Sequence, residues 1–268
     1  MERILDWNKY LDTAAKMVSE GIVMLKNDNN ALPLDTDKEV AVFGRIQFHY
    51  YKSGTGSGGM VNVTKVVNIL DGLIDNGIKV NEKLLGTYRK WDKENPFDLG
   101  EGWGGEPWSQ KEMPLDEGLV KETAKSCETA IVIIGRTAGE EQDNRLEAGS
   151  YLLSDDEIAM LTVVRKHFKK VVLLLNVGNI IDMTDINRIA PDSVLYVWQG
   201  GMTALAESFL TLSHTRRRTT PRTLISAGRK TGIFTLRIFM WDIAILKLLL
   251  KKRCFIRSDL VFHTLSLR

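Results

Sequence analysis

The sequence predicts an α/β fold in which a mainly parallel sheet is sandwiched between helices. The main support is a set of short apolar runs without polar alternation, which is typical of strands buried on both faces. These runs are residues 130–134, 171–175 and 194–197. Helical segments alternate with them along the chain, and such alternation indicates parallel strands joined by helices. With 268 residues, 44% of them hydrophobic, the chain can bury one sizeable core.

The first part of the chain predicts a helix, a strand and a second helix. Apolar residues recur at helical spacing over residues 10–26, and a turn rich in asparagine follows. Residues 39–44 form a short apolar strand. A long polar loop with several glycines comes next, and residues 65–75 again show helical spacing. Strand, loop and helix together make one βα unit.

The second part begins with a segment that has no regular period. Residues 89–116 contain three tryptophans, three prolines and several glycines, which predicts an irregular surface excursion. Residues 119–127 predict a helix and residues 130–135 a buried strand. Ser154 and Glu157 match a capping box, so the next helix begins there and runs to about residue 167. Two more strands are predicted near residues 171–177 and 193–198.

Composition and charge exclude several classes of protein. A net charge of +2, from 36 basic and 34 acidic residues, does not suggest a nucleic-acid-binding surface. Cys127 and Cys254 are too few for a disulfide framework, and their spacing to the histidines does not match a metal site. We therefore expect no metal, cofactor, nucleic-acid partner or membrane partner. The first residues do not resemble a secretory signal, so a cytoplasmic location is expected.

Acidic residues directly follow the predicted strand at 130–135. The order there is Gly139, Glu140, Glu141, Gln142 and Asp143. Ligands of parallel sheets bind beyond the carboxyl ends of the strands, so Glu140 falls where chemistry can occur. The alternative is that Glu140 and Glu141 are solvated loop acids without a chemical role.

Several motifs in order resemble one known family. They are residues 20–27 (EGIVMLKN), 32–34 (LPL), 54–57 (GTGS), 139–140 (GE), 174–178 (LLNVG) and 198–201 (WQGG). Together they resemble the α/β sandwich domain of glycoside hydrolase family 3 β-glucosidases. The resemblance implies a retaining hydrolase of β-linked glucosides or oligosaccharides, in which a (β/α)8 barrel supplies an aspartate nucleophile and the sandwich domain supplies the acid/base glutamate. It also implies the subset in which the sandwich precedes the barrel.

By this resemblance, Glu140 is the acid/base residue, because the family's glutamate directly follows the glycine. Glu141 is the competing candidate. Arg136 and Asp143 are candidate contacts to sugar hydroxyls, with a structural ion pair at the base of the loop as the alternative. Lys52 and Ser53 are further candidate sugar contacts, with a plain surface loop as the alternative. We interpret Trp91, Trp103 and Trp108 as apolar anchors, with stacking on sugar rings as the alternative.

Two other functional classes stay open. Gly54, Gly56 and Gly59 formally match the dinucleotide-binding pattern G-x-G-x-x-G, which would make the chain a nucleotide-binding α/β module. That pattern should follow its strand at once and open a helix, and here it does neither. The third class is a non-catalytic carbohydrate-binding domain, which would bind glucose without a partner barrel.

The resemblance covers residues 1–208 and stops in the basic stretch that follows. Residues 209–268 allow two structural interpretations, a basic linker with a buried helix or an amphipathic helix on a membrane surface. Our hypothesis is instead a frameshift, because the neighbouring reading frame permits strings similar to the family's downstream segments. We therefore expect a poorly folded tail and no barrel in this chain, and an isolated chain that is inactive.

Overall fold

The computed structural model describes residues 6–55, 66–102, 104–140 and 143–199. The chain divides into two compact units, Met1–Leu224 and Ile225–Arg268, and all described residues belong to the first. The predicted tail at 209–268 lies outside the described residues. Within them, no helix is long and apolar enough to cross a membrane.

A six-stranded sheet forms the centre of the domain, in the order β1-β6-β5-β4-β2-β3. Strand β1 pairs antiparallel with β6, and the other neighbouring strands are parallel. The strands are β1 Val23–Asn27, β2 Glu39–Phe43, β3 Lys79–Val80, β4 Thr129–Arg136, β5 Lys170–Val177 and β6 Ser193–Tyr196. The predicted α/β class with a mainly parallel sheet is confirmed.

Within the described part of the chain, six α-helices accompany the strands. They are α1 Trp7–Gly21, α2 Ile69–Asp75, α3 Glu82–Glu94, α4 Glu117–Ser126, α5 Asp155–His167 and α6 Thr184–Ile189. Five of them begin with a polar side chain that accepts a hydrogen bond from a backbone N–H of the first turn, which stabilises the helix start. The capping residues are Asp6, Asn68, Asn81, Asp116 and Ser154. The predicted capping box of Ser154 and Glu157 is confirmed.

Alternating side chains of the central strands contribute to two separate hydrophobic clusters. In β4, Ala130 and Val132 belong to one cluster, while Ile131 and Ile133 belong to the other. Successive residues of a strand point to opposite faces, so each face of the sheet has its own core. This explains why β4 and β5 read as unbroken apolar runs: both of their faces are covered.

Two predictions of secondary structure were wrong. The helix expected over residues 10–26 ends at Gly21, and residues 23–27 form the edge strand β1. A run of apolar residues fits either structure, and pairing with β6 decides in favour of the strand. The irregular excursion expected from residue 89 begins only after Glu94, because α3 continues to that residue.

Candidate active site

The chain continues beyond the last residue of β4 as a short segment, residues 137–140. A loop that follows β2 returns to this segment, and Thr55 forms a parallel bridge with Gly139. The Thr55 amide donates to the Ala138 carbonyl at 2.5 Å, and its hydroxyl donates to the Glu140 carbonyl at 3.2 Å. Gly54 and Glu140 thus lie at the same edge of the sheet. Gly56 and Gly59 lie outside the described residues.

Glycine is required on both sides of this contact. A Cβ at Gly54 would overlap the Ala138 carbonyl oxygen, and a Cβ at Gly139 would overlap the Thr55 carbonyl oxygen. Gly139 also has a φ of +136°, a conformation that residues with a side chain rarely adopt. The two segments therefore meet backbone against backbone. We call this arrangement, residues 54–55 against 138–140, the edge clamp.

Glu140 lies at the end of the edge clamp with an exposed side chain. Its position is that of a ligand-facing group, because the carboxyl ends of β2, β4 and β5 meet at this edge. Lys52 and Ser53 directly precede the clamp and are half-buried, and Asp143 is exposed three residues after Glu140. Glu141, the competing candidate, lies outside the described residues.

Arg136, the last residue of β4, has a different environment from the one that a sugar contact needs. Its side chain is 3% exposed and forms a bidentate ion pair with Glu157, at 2.5 and 2.6 Å. Its remaining N–H groups donate to the carbonyls of Gly135, Ser150 and Leu152. Every N–H of the guanidinium therefore has a protein partner. Of the two alternatives for Arg136, the structure therefore favours the structural ion pair over a contact to sugar hydroxyls.

The loop between β2 and the edge clamp is anchored by Arg45, which no sequence motif singled out. Its guanidinium is buried, pairs with Asp92 at 2.9 Å and donates to the carbonyls of Lys111 and Asn95. The rings of Trp91 and Phe97 lie 5.0 and 5.8 Å from it, within reach of cation–π attraction. These contacts hold the excursion against the loop.

The backbone N–H of Arg45 donates to the carboxyl of Glu112 at 3.0 Å. Burial raises the pKa of Glu112 to about 8, and this desolvation outweighs the backbone hydrogen bond and the attraction of the Arg45 guanidinium, which lower it. Burial also raises the pKa of Glu106, whose carboxyl accepts from the Thr137 hydroxyl at 3.4 Å. Two carboxyls with raised pKa values thus lie near the carboxyl edge of the sheet. Neither was predicted from the sequence.

Asn176 near the end of β5 explains the LLNVG motif. Its side-chain oxygen accepts from the Tyr51 amide at 2.8 Å, and its side-chain N–H groups donate to the carbonyls of Tyr51 and Trp198. One buried amide therefore connects three segments at the edge of the sheet. The motif residue acts as a structural support for the loop that carries Lys52 and Ser53.

Trp91 and Trp108 differ in their surroundings. Trp91 lies in α3 and packs against the hydrophobic core, which confirms its interpretation as an anchor. Trp108 is half-buried, its ring lies 4.9 Å from the Arg145 guanidinium, and its carbonyl accepts from the Thr137 amide. Trp103 lies outside the described residues. Among the residues that the structure describes, no cluster of acidic, histidine and cysteine side chains could hold a metal ion.

Comparison with known proteins identifies the family. The sequence model of the glycosyl hydrolase family 3 C-terminal domain matches residues 22–210. The matched residues include all six strands of the described sheet. The chain belongs to glycoside hydrolase family 3.

Individual relatives agree with this assignment. The chain is 63% identical to a β-glucosidase of Ruminococcus albus over 199 residues, which are 74% of this chain and 21% of the relative. A β-glucosidase from Paenibacillus barengoltzii superimposes with a TM-score of 0.72 at 48% identity, over 78% of this chain and 23% of that one. β-Glucosidase 3B from Thermotoga neapolitana, solved in complex with glucose, superimposes with a TM-score of 0.69 at 29% identity. The superposition covers 77% of this chain and 30% of that one. The chain thus spans between a fifth and a third of these relatives.

Proposed function

We propose that this domain supplies the acid/base carboxyl, Glu140, of a retaining β-glucosidase-type hydrolase, and that a (β/α)8 barrel supplies the nucleophile. The substrate class is a β-linked glucoside or oligosaccharide. The observation that carries the proposal is the placement of Glu140, exposed at the carboxyl edge of the sheet and attached through its carbonyl to the edge clamp. The names of the relatives support the reaction type.

The chemistry explains why a second domain is needed. A retaining glycosidase requires two carboxyls about 5 to 5.5 Å apart, one that attacks the anomeric carbon and one that protonates the leaving oxygen. Glu140 would donate that proton and later deprotonate the water that releases the sugar. An exposed carboxyl at the rim of one domain suits a pocket completed by another. Lys52, Ser53 and Asp143 are proposed as contacts to sugar hydroxyls beside it.

The isolated chain should hydrolyse no p-nitrophenyl β-glucoside above background, because the proposed mechanism takes its nucleophile from the barrel rather than from this domain. The assay needs only the purified 268-residue chain. Turnover that disappears on Glu140→Ala would show that a complete site exists within these residues, and it would contradict the two-domain proposal.

The acid/base role is tested in a chimera, which we call the graft protein. In it, residues 22–210 of this chain replace the matching stretch of the Ruminococcus albus β-glucosidase, to which the chain is 63% identical. Glu140→Ala should lower kcat/KM on cellobiose by about 10²- to 10⁴-fold, because a sugar leaving group needs protonation. The loss on 2,4-dinitrophenyl β-glucoside should be far smaller, since that leaving group departs without a proton.

Glu147→Ala is the matched control, because Glu147 is another exposed acid of the same loop region. It should leave both substrates unaffected. Equal losses on both substrates for Glu140→Ala, with a selective loss for Glu141→Ala instead, would move the acid/base role to Glu141.

The alternative of a nucleotide-binding module is tested by melting the chain with NAD or ATP. A ligand at about 100 times its dissociation constant should add about 2.7 kcal/mol to the stability. The structure disfavours this alternative, because the residue that would open the phosphate loop, Gly54, is packed against the Ala138 carbonyl. A non-catalytic carbohydrate-binding domain would bind glucose without a partner domain, which calorimetry on the isolated chain detects.

The end of the family match at residue 210 supports the proposal that residues 209–268 arise from a frameshift. Resequencing the gene across the codons of residues 202–212 tests it, and an intact reading frame relative to close relatives would contradict it. A cytoplasmic location likewise remains a proposal from the sequence, to be tested by fractionating the source cells.

A further inference from the structure

The backbone on either side of Glu140 needs support because its segment extends beyond the sheet. Strand β4 pairs with β2 only as far as Val132 and with β5 as far as Arg136. Residues 137–140 therefore continue past both ladders. A catalytic carboxyl on an unsupported segment would sample many orientations, and a displacement of about 1 Å costs about 10²-fold in rate.

Thr55 supplies support at this point through two groups. Its amide donates to the Ala138 carbonyl at 2.5 Å. Its hydroxyl lies 3.2 Å from the Glu140 carbonyl and 3.5 Å from the Ala138 carbonyl. One hydroxyl hydrogen can serve only one acceptor at a time, and the shorter distance favours Glu140. The peptide group of Glu140 is thus held by a side chain from a different loop.

The packing around Thr55 makes this hydrogen bond specific. Gly54 and Gly139 leave no room for a Cβ, so the two segments approach to backbone contact. Only at this separation does the threonine hydroxyl reach the Glu140 carbonyl. A hydrogen bond to that carbonyl restrains the backbone at Glu140, and a restrained backbone limits the directions in which the side chain can project.

We propose that Thr55 is a positioning residue for Glu140, acting through the hydrogen bond from its hydroxyl to the Glu140 carbonyl. The inference rests on the proposed acid/base role of Glu140. Thr55 does not touch the reacting atoms. It restricts the carboxyl to orientations from which a proton can be delivered to the leaving oxygen.

The first test uses the 268-residue chain and hydrogen–deuterium exchange. Thr55→Val keeps the shape of the side chain and removes the hydroxyl. It should make amides in residues 51–55 and 137–140 exchange about 2- to 10-fold faster, while amides in β4 stay unchanged. Thr55→Ser, which keeps the hydroxyl, should exchange as the native chain does. Unchanged exchange in Thr55→Val would overturn the proposal.

The second test asks whether the hydrogen bond from Thr55 affects proton transfer to the leaving group. A merely structural role would slow both kinds of substrate equally. In the graft protein, Thr55→Val should lower kcat/KM on cellobiose by about 10- to 100-fold and leave 2,4-dinitrophenyl β-glucoside nearly unaffected. Thr55→Ser should restore most of the loss. Thr87→Val is the control, because the Thr87 hydroxyl donates to the Lys83 carbonyl on the exposed face of helix α3.

Equal losses on both substrates, or a Thr55→Ser variant as impaired as Thr55→Val, would overturn the positioning role. Glu140→Ala, measured beside these variants, separates this failure from failure of the proposed function. If Glu140→Ala shows the selective loss and Thr55→Val does not, the inference about Thr55 alone is wrong. If Glu140→Ala shows no selective loss, the acid/base assignment itself is wrong.

Discussion

Arg136 and Glu140 lie four residues apart on the same segment, yet their surroundings are opposite. Arg136 is buried, its charge is paired with Glu157 and each of its donors has a protein acceptor. Glu140 presents its side chain to solvent while its backbone is held. The two charged side chains therefore have different roles. The buried, fully bonded group holds the edge of the sheet, and the exposed group on a fixed backbone is available for chemistry.

The largest effect is expected from breaking the buried ion pair. Glu157→Ala leaves the Arg136 charge buried and unpaired and removes the capping box of α5, so the free energy of unfolding should fall by about 3 to 5 kcal/mol. Urea unfolding of the 268-residue chain measures it.

Asp185→Ala is the control, because it breaks an exposed ion pair with Arg188 and should cost less than about 1 kcal/mol. The double variant Arg136→Met with Glu157→Gln should recover part of the loss, since no unpaired charge stays buried. Similar costs for Glu157→Ala and Asp185→Ala would contradict the structural role of the buried pair.

The edge clamp should be the next most sensitive region. Gly139→Ala places a side chain at a φ of +136° and against the Thr55 carbonyl, and we expect a loss of about 1 to 3 kcal/mol. Gly86→Ala, in the interior of α3 with open space around its Cβ, should instead gain about 0.5 to 1 kcal/mol. Thermal or urea unfolding measures the free energy of unfolding of both variants. An unchanged value for Gly139→Ala would show that the close approach of the two clamp segments does not contribute to stability.

An effect that depends on pH is expected from the buried carboxyl of Glu112. Burial raises its pKa from 4.5 to about 8, so the folded state binds the proton more tightly than the unfolded chain. Its contribution to stability is full below about pH 4.5 and is lost as the pH rises towards 8, with a slope of up to about 1.4 kcal/mol per pH unit.

Glu112→Gln removes this titration and resembles the protonated carboxyl. The variant should match the native chain near pH 5 and become the more stable of the two towards pH 8. Urea unfolding at several pH values measures the difference, and a gap that does not change with pH would contradict the raised pKa of Glu112.

The central strands could be predicted from the sequence because both of their faces are covered, which leaves an unbroken apolar run. The position of Glu140 followed from the same signal, since a parallel strand delivers its next residues to the ligand-facing edge. The start of α5 was predictable because Ser154 and Glu157 are three residues apart and form a local motif.

The partners of Arg136 and Arg45 could not be read from local patterns. Arg136 meets Glu157 across 21 residues, and the Arg45 amide meets Glu112 across 67, so only the folded chain brings these groups together. Strand β1 was missed for a related reason. Its apolar residues fit the period of the preceding helix. Pairing with β6 makes this segment a strand, and β6 comes last among the six strands in the sequence.

Chemical rescue of Glu140→Ala in the graft protein tests the central claim most directly. Azide needs no general base, so it should replace the water that Glu140 no longer activates and attack the covalent glycosyl intermediate. The account predicts that added azide raises turnover of 2,4-dinitrophenyl β-glucoside by Glu140→Ala and yields β-glucosyl azide, while Glu147→Ala gives neither effect. Absence of rescue in Glu140→Ala, together with rescue in Glu141→Ala, would contradict the assignment of Glu140 as the acid/base residue.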